Sequence, residues 1–267
     1  MKKAIVVVSF GTVNDEVRRK CIESVENRIK ASFPAYEVRR AFTSNFIIKK
    51  LSARGIYVDT LPQALEKIKQ EGYPEVIVQS THLTPGEEYE NKIVQVVQPY
   101  KEQFEKISVG RPVFMSEKYD GKTDDFLLGI QAVRHQIPKH HLSTEIVFMG
   151  HGSPNQHNAV YEILQRRLDE MDAHITIGVL EENDYPNIEH ILIRLKEKKW
   201  IKRVILMPFL LVAGNHVEVD MAGAHAQSWK SRLIKAGYEV QVYLHGLGEN
   251  EAFQALYVAH IKDAIKK

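Results

Sequence analysis

The chain states one strand-and-helix pattern twice, and this internal repeat restricts its fold more than any other feature. An apolar run breaks at Ser9-Phe10-Gly11-Thr12, and a second, from Ile146 to Met149, breaks at Gly150-His151-Gly152-Ser153. Glu75-Val76-Ile77-Val78-Gln79 leads through Pro85-Gly86 to Glu87-Glu88. Arg203-Val204-Ile205-Leu206-Met207 leads through Ala213-Gly214 to Asn215-His216. Helix-like stretches opening at Asp125-Phe126 and Ala252-Phe253 close the two halves. Short β-branched runs alternating with longer helical periods signal βα units and a parallel sheet. The expected fold class is therefore α/β: two similar doubly wound parallel-sheet lobes, residues 1–125 and 126–267, with an active-site cleft between them.

The spacing predicts strands over residues 4–8, 36–41, 76–79 and 113–114, then over 146–149, 175–180, 204–206 and 240–243. It predicts helices over 15–32, 60–71, 88–104, 159–172, 186–198, 222–236 and 252–265. Asp59 or Thr60 is the expected cap of the second helix, with Pro62 in its first turn. Gly121 precedes the helix that links the halves. No low-complexity stretch separates them.

Composition excludes several function classes. At 267 residues and 44% hydrophobic, the chain can bury a substantial core. Its formal net charge of +2 is too balanced to imply a nucleic-acid partner. Cys21 is the only cysteine, so the chain forms neither an internal disulfide nor a multi-thiolate metal site, and Cys21 reads as buried packing. The apolar run at residues 4–8 is too short for a secretory leader and ends in a glycine turn. No run approaches the length of a membrane span. The expectation is a soluble cytoplasmic protein with no membrane partner.

The halves differ where chemistry would reside. In the second telling Phe10 becomes His151, Thr43 becomes Glu181 and Glu88 becomes His216. In doubly wound sheets, ligands sit beyond the carboxyl ends of the strands, so these three should converge. His151 lies between glycines that permit a sharp turn, and Ser153 is the better helix cap, which leaves the imidazole free. By itself His216 reads equally as ligand or structural residue, and a strand-end carboxylate such as Glu181 is often only a solvated turn. Two neutral imidazoles and one carboxylate together suit Co(II), Ni(II), Fe(II) or Zn(II), with positions left for substrate. The zinc-protease helix motif and the phosphate-cradling loop of nucleotide hydrolases are both absent. So is the nucleophile-elbow motif of serine hydrolases.

Val7-Val8-Ser9-Phe10-Gly11-Thr12, Arg40-Ala41-Phe42-Thr43-Ser44, Gly86-Glu87-Glu88-Tyr89-Glu90, Val147-Phe148-Met149-Gly150-His151-Gly152 and Val212-Ala213-Gly214-Asn215-His216 resemble the sirohydrochlorin cobaltochelatases of the anaerobic cobalamin route. Gly246-Leu247-Gly248-Glu249-Asn250 and Val258-Ala259-His260 extend the likeness over nearly the whole chain. The resemblance implies the two-lobed fold shared with ferrochelatases and nucleotide-independent insertion of Co(II) into sirohydrochlorin or precorrin-2. It implies His151, Glu181 and His216 as metal ligands. Where the family more often reads Val-Glu-Ser-Tyr-Pro, this chain has Leu180-Glu181-Glu182-Asn183-Asp184-Tyr185-Pro186. Glu181 and Glu182 are thus alternatives, with Glu181 favoured because it directly follows the strand. Insertion releases two pyrrole protons, so the site needs bases, and His151 can serve as base as well as ligand. Glu88 reads either as a further proton acceptor or as an exposed turn acid. Phe10, Arg40 and Ser44 are the expected substrate contacts, Arg40 as a cation for the macrocycle's carboxylates; Lys49 and Lys50 read as a solvated helix face. A ferrochelatase or nickel chelatase, or a non-catalytic metal or tetrapyrrole carrier, are the competing readings.

Overall fold

A computed structural model describes residues 2–115, 117, 124–155, 157–171 and 174–266. The chain divides into two compact units, one of residues 1–125 with 251–267, the other of residues 126–250.

The first unit holds a parallel sheet of β1 (Lys3–Ser9), β2 (Glu37–Phe42), β3 (Asp59–Thr60), β4 (Glu75–Ser80) and β5 (Lys106–Gly110), in the order β3-β2-β1-β4-β5. Its helices are α1 (residues 15–32), α2 (Asn45–Ser52), α3 (Leu61–Gln70) and α4 (residues 87–100). The middle turn of α1, Arg18–Glu23, is π-wound, as is Glu90–Val94 of α4. β1 lies in the middle of the sheet and is buried on both faces, which is why it reads as a continuous apolar run. Its Ala4, Val6 and Val8 pack with Leu61, Leu65 and Ile68 of α3 and Ile93 and Val97 of α4. Each of these Val, Leu and Ile side chains contributes about 1.5–3 kcal/mol on burial. Thr60 and Gln63 cap α3 reciprocally, Gln63 N donating to Thr60 Oγ1 at 3.4 Å and Thr60 N to Gln63 Oε1 at 2.9 Å.

The second unit repeats the design. After α5 (Asp125–Arg134), β6 (Thr144–Gly150), β7 (Ile175–Val179), β8 (Arg203–Pro208) and β9 (Glu239–Val242) form a parallel sheet in the order β7-β6-β8-β9. α6 (Val160–Glu170), α7 (Ile188–Glu197), a π-helical turn Val217–Met221 and α8 (Trp229–Lys235) flank it. Val147 and Met149 of β6 pack with Ile188, Ile191 and Leu195 of α7 and with Val217, Met221 and Leu233.

The structure changes several expectations. The last strand of the first sheet is Lys106–Gly110, not residues 113–114. Val113 and Phe114 are buried in the turn that follows, their amides donating to His82 O and Leu83 O. β5 is an edge strand of only moderate burial, so its apolar signal is weak. The helix expected over 222–236 is confined to Trp229–Lys235: residues 222–228 form turns, and Ser228 starts the helix by accepting Ser231 N at 3.2 Å. Gly121 and Asp172 lie outside the described residues.

The division 1–125 and 126–267 also needs correction at its end. α9 (Glu251–Lys266) belongs to the first unit. Phe253, Tyr257 and Ile261 are fully buried there, Tyr257 Oη donates to Thr81 O at 2.9 Å, and Asp263 pairs with Arg111 at 2.7 Å. Its counterpart in the repeat, the α5 segment from Phe126, belongs instead to the second unit, where Ala132 O accepts from Asn250 Nδ2 at 2.8 Å. The closing helices of the two halves have changed places.

Candidate metal centre

The backbone hydrogen bonds beyond the strand ends set the register of the repeat. Thr43 N donates to Ser9 O and Ser44 N to Phe10 O; in the second unit, Leu180 N donates to Gly150 O and Glu181 N to His151 O. Phe10 and His151 are therefore equivalent, each followed by a glycine with positive φ, Gly11 at 101° and Gly152 at 80°. The equivalent of Glu181 is Ser44, one residue beyond the Thr43 expected from the sequence. Thr81 N bonds Val8 O as Phe209 N bonds Met149 O, which places Glu88 opposite His216 in the repeat.

In the second unit the three expected ligands stand at the carboxyl ends of three adjacent strands. His151 follows β6, Glu181 lies just beyond β7, and His216 ends the loop beyond β8. The two imidazoles meet edge to face with ring centroids 5.1 Å apart, and His151 Nδ1 lies 3.7 Å from Glu181 Oε1. Glu182 is exposed, so Glu181 is the carboxylate beside the histidines. Among the described residues no three His, Cys, Asp or Glu side chains already stand at metal-binding spacing.

The tautomers follow from the partners. His216 Nδ1 lies 2.7 Å from Asp220 Oδ2, an acceptor, so Nδ1 carries a hydrogen and donates it. His151 Nδ1 donates in the same way to Gly152 O at 3.3 Å. A carboxylate or carbonyl behind the ring is the usual way to orient a metal-ligating histidine. Asp220 is one residue that the sequence did not single out; its signal is the four-residue spacing from His216 on a helical turn. Tyr161 lies beneath the His151 loop, its hydroxyl 3.5 Å from Gly152 N, and burial pushes it up to about 12, so it stays neutral.

The remaining expected residues belong to the first unit and differ in standing. Phe10 is 52% exposed beyond β1, free to offer a ring face. Glu88 lies in the first turn of α4. Nearby in sequence, His82 was not singled out: its Nδ1 pairs with Ser80 Oγ at 2.9 Å, and burial lowers it to about 4 against the opposing charge of Glu88. It is neutral at physiological pH. Arg40 does not serve as a free cation. Its guanidinium grips Glu26 bidentately at 2.7 and 2.6 Å and reaches Glu23 at 3.2 Å, within β2 rather than beyond its end. Ser44 caps α2 by accepting Ile47 N at 3.4 Å.

The cobalt chelatase (CbiK) family model matches residues 3–266. Two relatives are similar over 99% of this chain. The sirohydrochlorin cobaltochelatase of Salmonella typhimurium is 39% identical, with 97% of its length covered. The sirohydrochlorin cobaltochelatase CbiKC of Nitratidesulfovibrio vulgaris is 32% identical, with 91% covered. The chain belongs to the cobalt chelatase (CbiK) family. Among solved structures, SirB from Bacillus subtilis with Fe3+ matches with a TM-score of 0.65 at 17% identity, covering 99% of this chain and 96% of that one. A cobalt complex of the sirohydrochlorin chelatase SirB from Bacillus subtilis subspecies spizizenii matches at 0.62 and 13%, covering 100% and 96%. At such identities the likeness speaks for the fold, which is the chelatase fold.

Proposed function

We propose that this chain inserts Co(II) into sirohydrochlorin, or its precursor precorrin-2, for cobalamin synthesis, in the cytoplasm and without nucleotide hydrolysis. The observation that carries the proposal is the meeting of His151, His216 and Glu181 at three strand ends in a chain of this family. In the reaction the metal is a substrate. Co(II) enters, the macrocycle's two pyrrole N–H groups lose their protons, and the neutral charge balance is kept as the dianionic ring takes the dication.

Each group has a part in this. His151 and His216 offer Nε2 lone pairs, and Glu181 adds one negative charge. Such a borderline set binds Co(II) while leaving positions for the ring nitrogens. A closed four-ligand cage would hold the ion too tightly to release it. Glu88 is assigned as a proton acceptor, as is His151 once its Nε2 has released the ion, and Phe10 as a seat for the macrocycle. Chelation by four ring nitrogens supplies the driving force, so no nucleotide is needed. The ligand set does not by itself separate cobalt from nickel or iron, whose affinities follow a general order. The assignment of cobalt draws on the named activity of the two relatives.

The test mixes purified protein, metal-free sirohydrochlorin and Co(II) and follows the tetrapyrrole absorption. A rate no greater than the protein-free control removes the enzyme reading in favour of a carrier. Competition at buffered free-metal concentrations decides the metal, and a clear preference for Fe(II) or Ni(II) overturns cobalt. His151→Ala and His216→Ala should each fold and lose roughly 10²–10⁴ in rate. Ordinary turnover by both would leave the fold without this site.

A further inference from the structure

We infer that Asp184 is a positioning residue for the metal centre, a buried carboxylate that ties the loop carrying His151 to the turn carrying Glu181 and sets the spacing of these two ligands. This rests on the proposed metal site and explains what holds it together.

The two loops leave β6 and β7 side by side, and the ligand side chains do not hydrogen-bond each other. Asp184 supplies a link from below. It is 3% exposed, and both its oxygens are occupied. Oδ2 accepts Ser153 N at 2.8 Å. Oδ1 accepts His157 Nδ1 at 2.8 Å, Tyr185 N at 2.8 Å and Asn158 N at 3.2 Å. Three of these four donors come from the segment that follows His151, whereas the carboxylate itself belongs to the Glu181 turn, where Asp184 N donates to Glu181 O at 3.1 Å. The approach is close: a Cβ on Gly152 would lie 3.0 Å from Asp184 Oδ2. His157 is braced in turn by Glu162 of α6 at 2.6 Å.

Four N–H donors converging on one side chain need a group that only accepts, which an ionised carboxylate is and an amide is not. Burial works against that ionised form, yet the Tyr185, Ser153 and Asn158 amides and the His157 ring hold Asp184 below the usual carboxylate range. The charge is thus kept where it fixes backbone on both sides. Ligand constellations function only when supporting groups hold them within about half an ångström, and loss of such a group costs 10–100-fold in metal affinity.

The experiment measures Co(II) itself, on the full chain, by competition with a chromophoric chelator and by the visible d–d spectrum. Asp184→Asn should keep the far-UV circular dichroism of the parent, weaken Co(II) binding by about 10–100-fold and alter the d–d bands, with KM for sirohydrochlorin unchanged. Parent affinity and parent bands in a folded Asp184→Asn protein overturn the inference. Should that variant fail to fold, His157→Ala removes one donor from the half-exposed side; it should weaken Co(II) several-fold in the same direction, and parent affinity again overturns the inference. His151→Ala, measured alongside, separates the two levels. If it too binds Co(II) as the parent does, the metal site is elsewhere and the positioning role falls with it. If only His151→Ala weakens binding, the site stands and Asp184 has no part in it.

Discussion

Replacing Gly152 with Ala probes the backbone that presents His151. Gly152 has φ of 80°, and the added methyl would meet Val179 Cβ at 2.8 Å and Asp184 Oδ2 at 3.0 Å. Gly237 in the same unit is the control, with φ of 95° and nothing within 4 Å of an added Cβ. Left-handed backbone costs an L-residue roughly 1–2 kcal/mol. Loss of glycine's freedom in the unfolded chain returns about 0.4–1 kcal/mol. Gly237→Ala should therefore cost about 0.5–1 kcal/mol. Gly152→Ala bears the same backbone term plus overpacking against β7, about 1–3 kcal/mol, for a total of about 1.5–4 kcal/mol. Denaturant midpoints of the two variants and the parent give the comparison, with Co(II) affinity measured on each. The difference of about 2 kcal/mol corresponds to roughly 30-fold in the folding equilibrium. Only Gly152→Ala should also weaken Co(II). Equal destabilisation by both variants would show that the contact with Val179 and Asp184 does not constrain the loop. Unchanged Co(II) binding by a destabilised Gly152→Ala would show that this backbone does not position a ligand.

Three further outcomes follow from the first unit. Glu88→Gln should leave Co(II) binding within twofold of the parent while slowing insertion by roughly 10²-fold, and Phe10→Leu should raise KM for the tetrapyrrole with little change in kcat; steady-state kinetics with each substrate varied in turn checks both. Asp125 has a fully buried side chain gripped by Arg111 Nε and Nη2 at 2.8 Å each, with His260 at 3.4 Å, so Asp125→Asn should cost about 2–4 kcal/mol by denaturant unfolding at pH 7. Burial opposes ionisation there, but His260 and Arg111 prevail and lower the carboxyl below its usual range. That stability is present above the unfolded carboxyl value of about 3.9 and is lost as pH falls through the lower folded value, so the gap between parent and variant should close below about pH 4.

The sequence by itself determined the repeated parallel βα plan and the strand ends at which Phe10, His151 and His216 appear, because strand burial and glycine turns are written in neighbouring residues. Cys21 was legible in the same way, as a small apolar residue on a helix face, and it is buried. Only the tertiary structure decided the rest. Ser44, not Thr43, occupies the place of Glu181, because equivalence is set by which amide reaches which carbonyl across the sheet. Arg40 is spent on Glu26, a pairing that depends on how α1 lies over β2 and has no signature in either segment alone. α9 packs with the first unit although its repeat position assigns it to the second, since an amphipathic helix specifies that it must bury a face and not which sheet receives it. Asp184 illustrates the same limit. In the sequence it is one acid in a polar turn, and its role arises from Ser153, His157 and Asn158, residues brought to it by β6 and β7 lying side by side. Periodicity tells a chain which faces to hide, while long-range pairing chooses the partners, and a metal centre is made of partners.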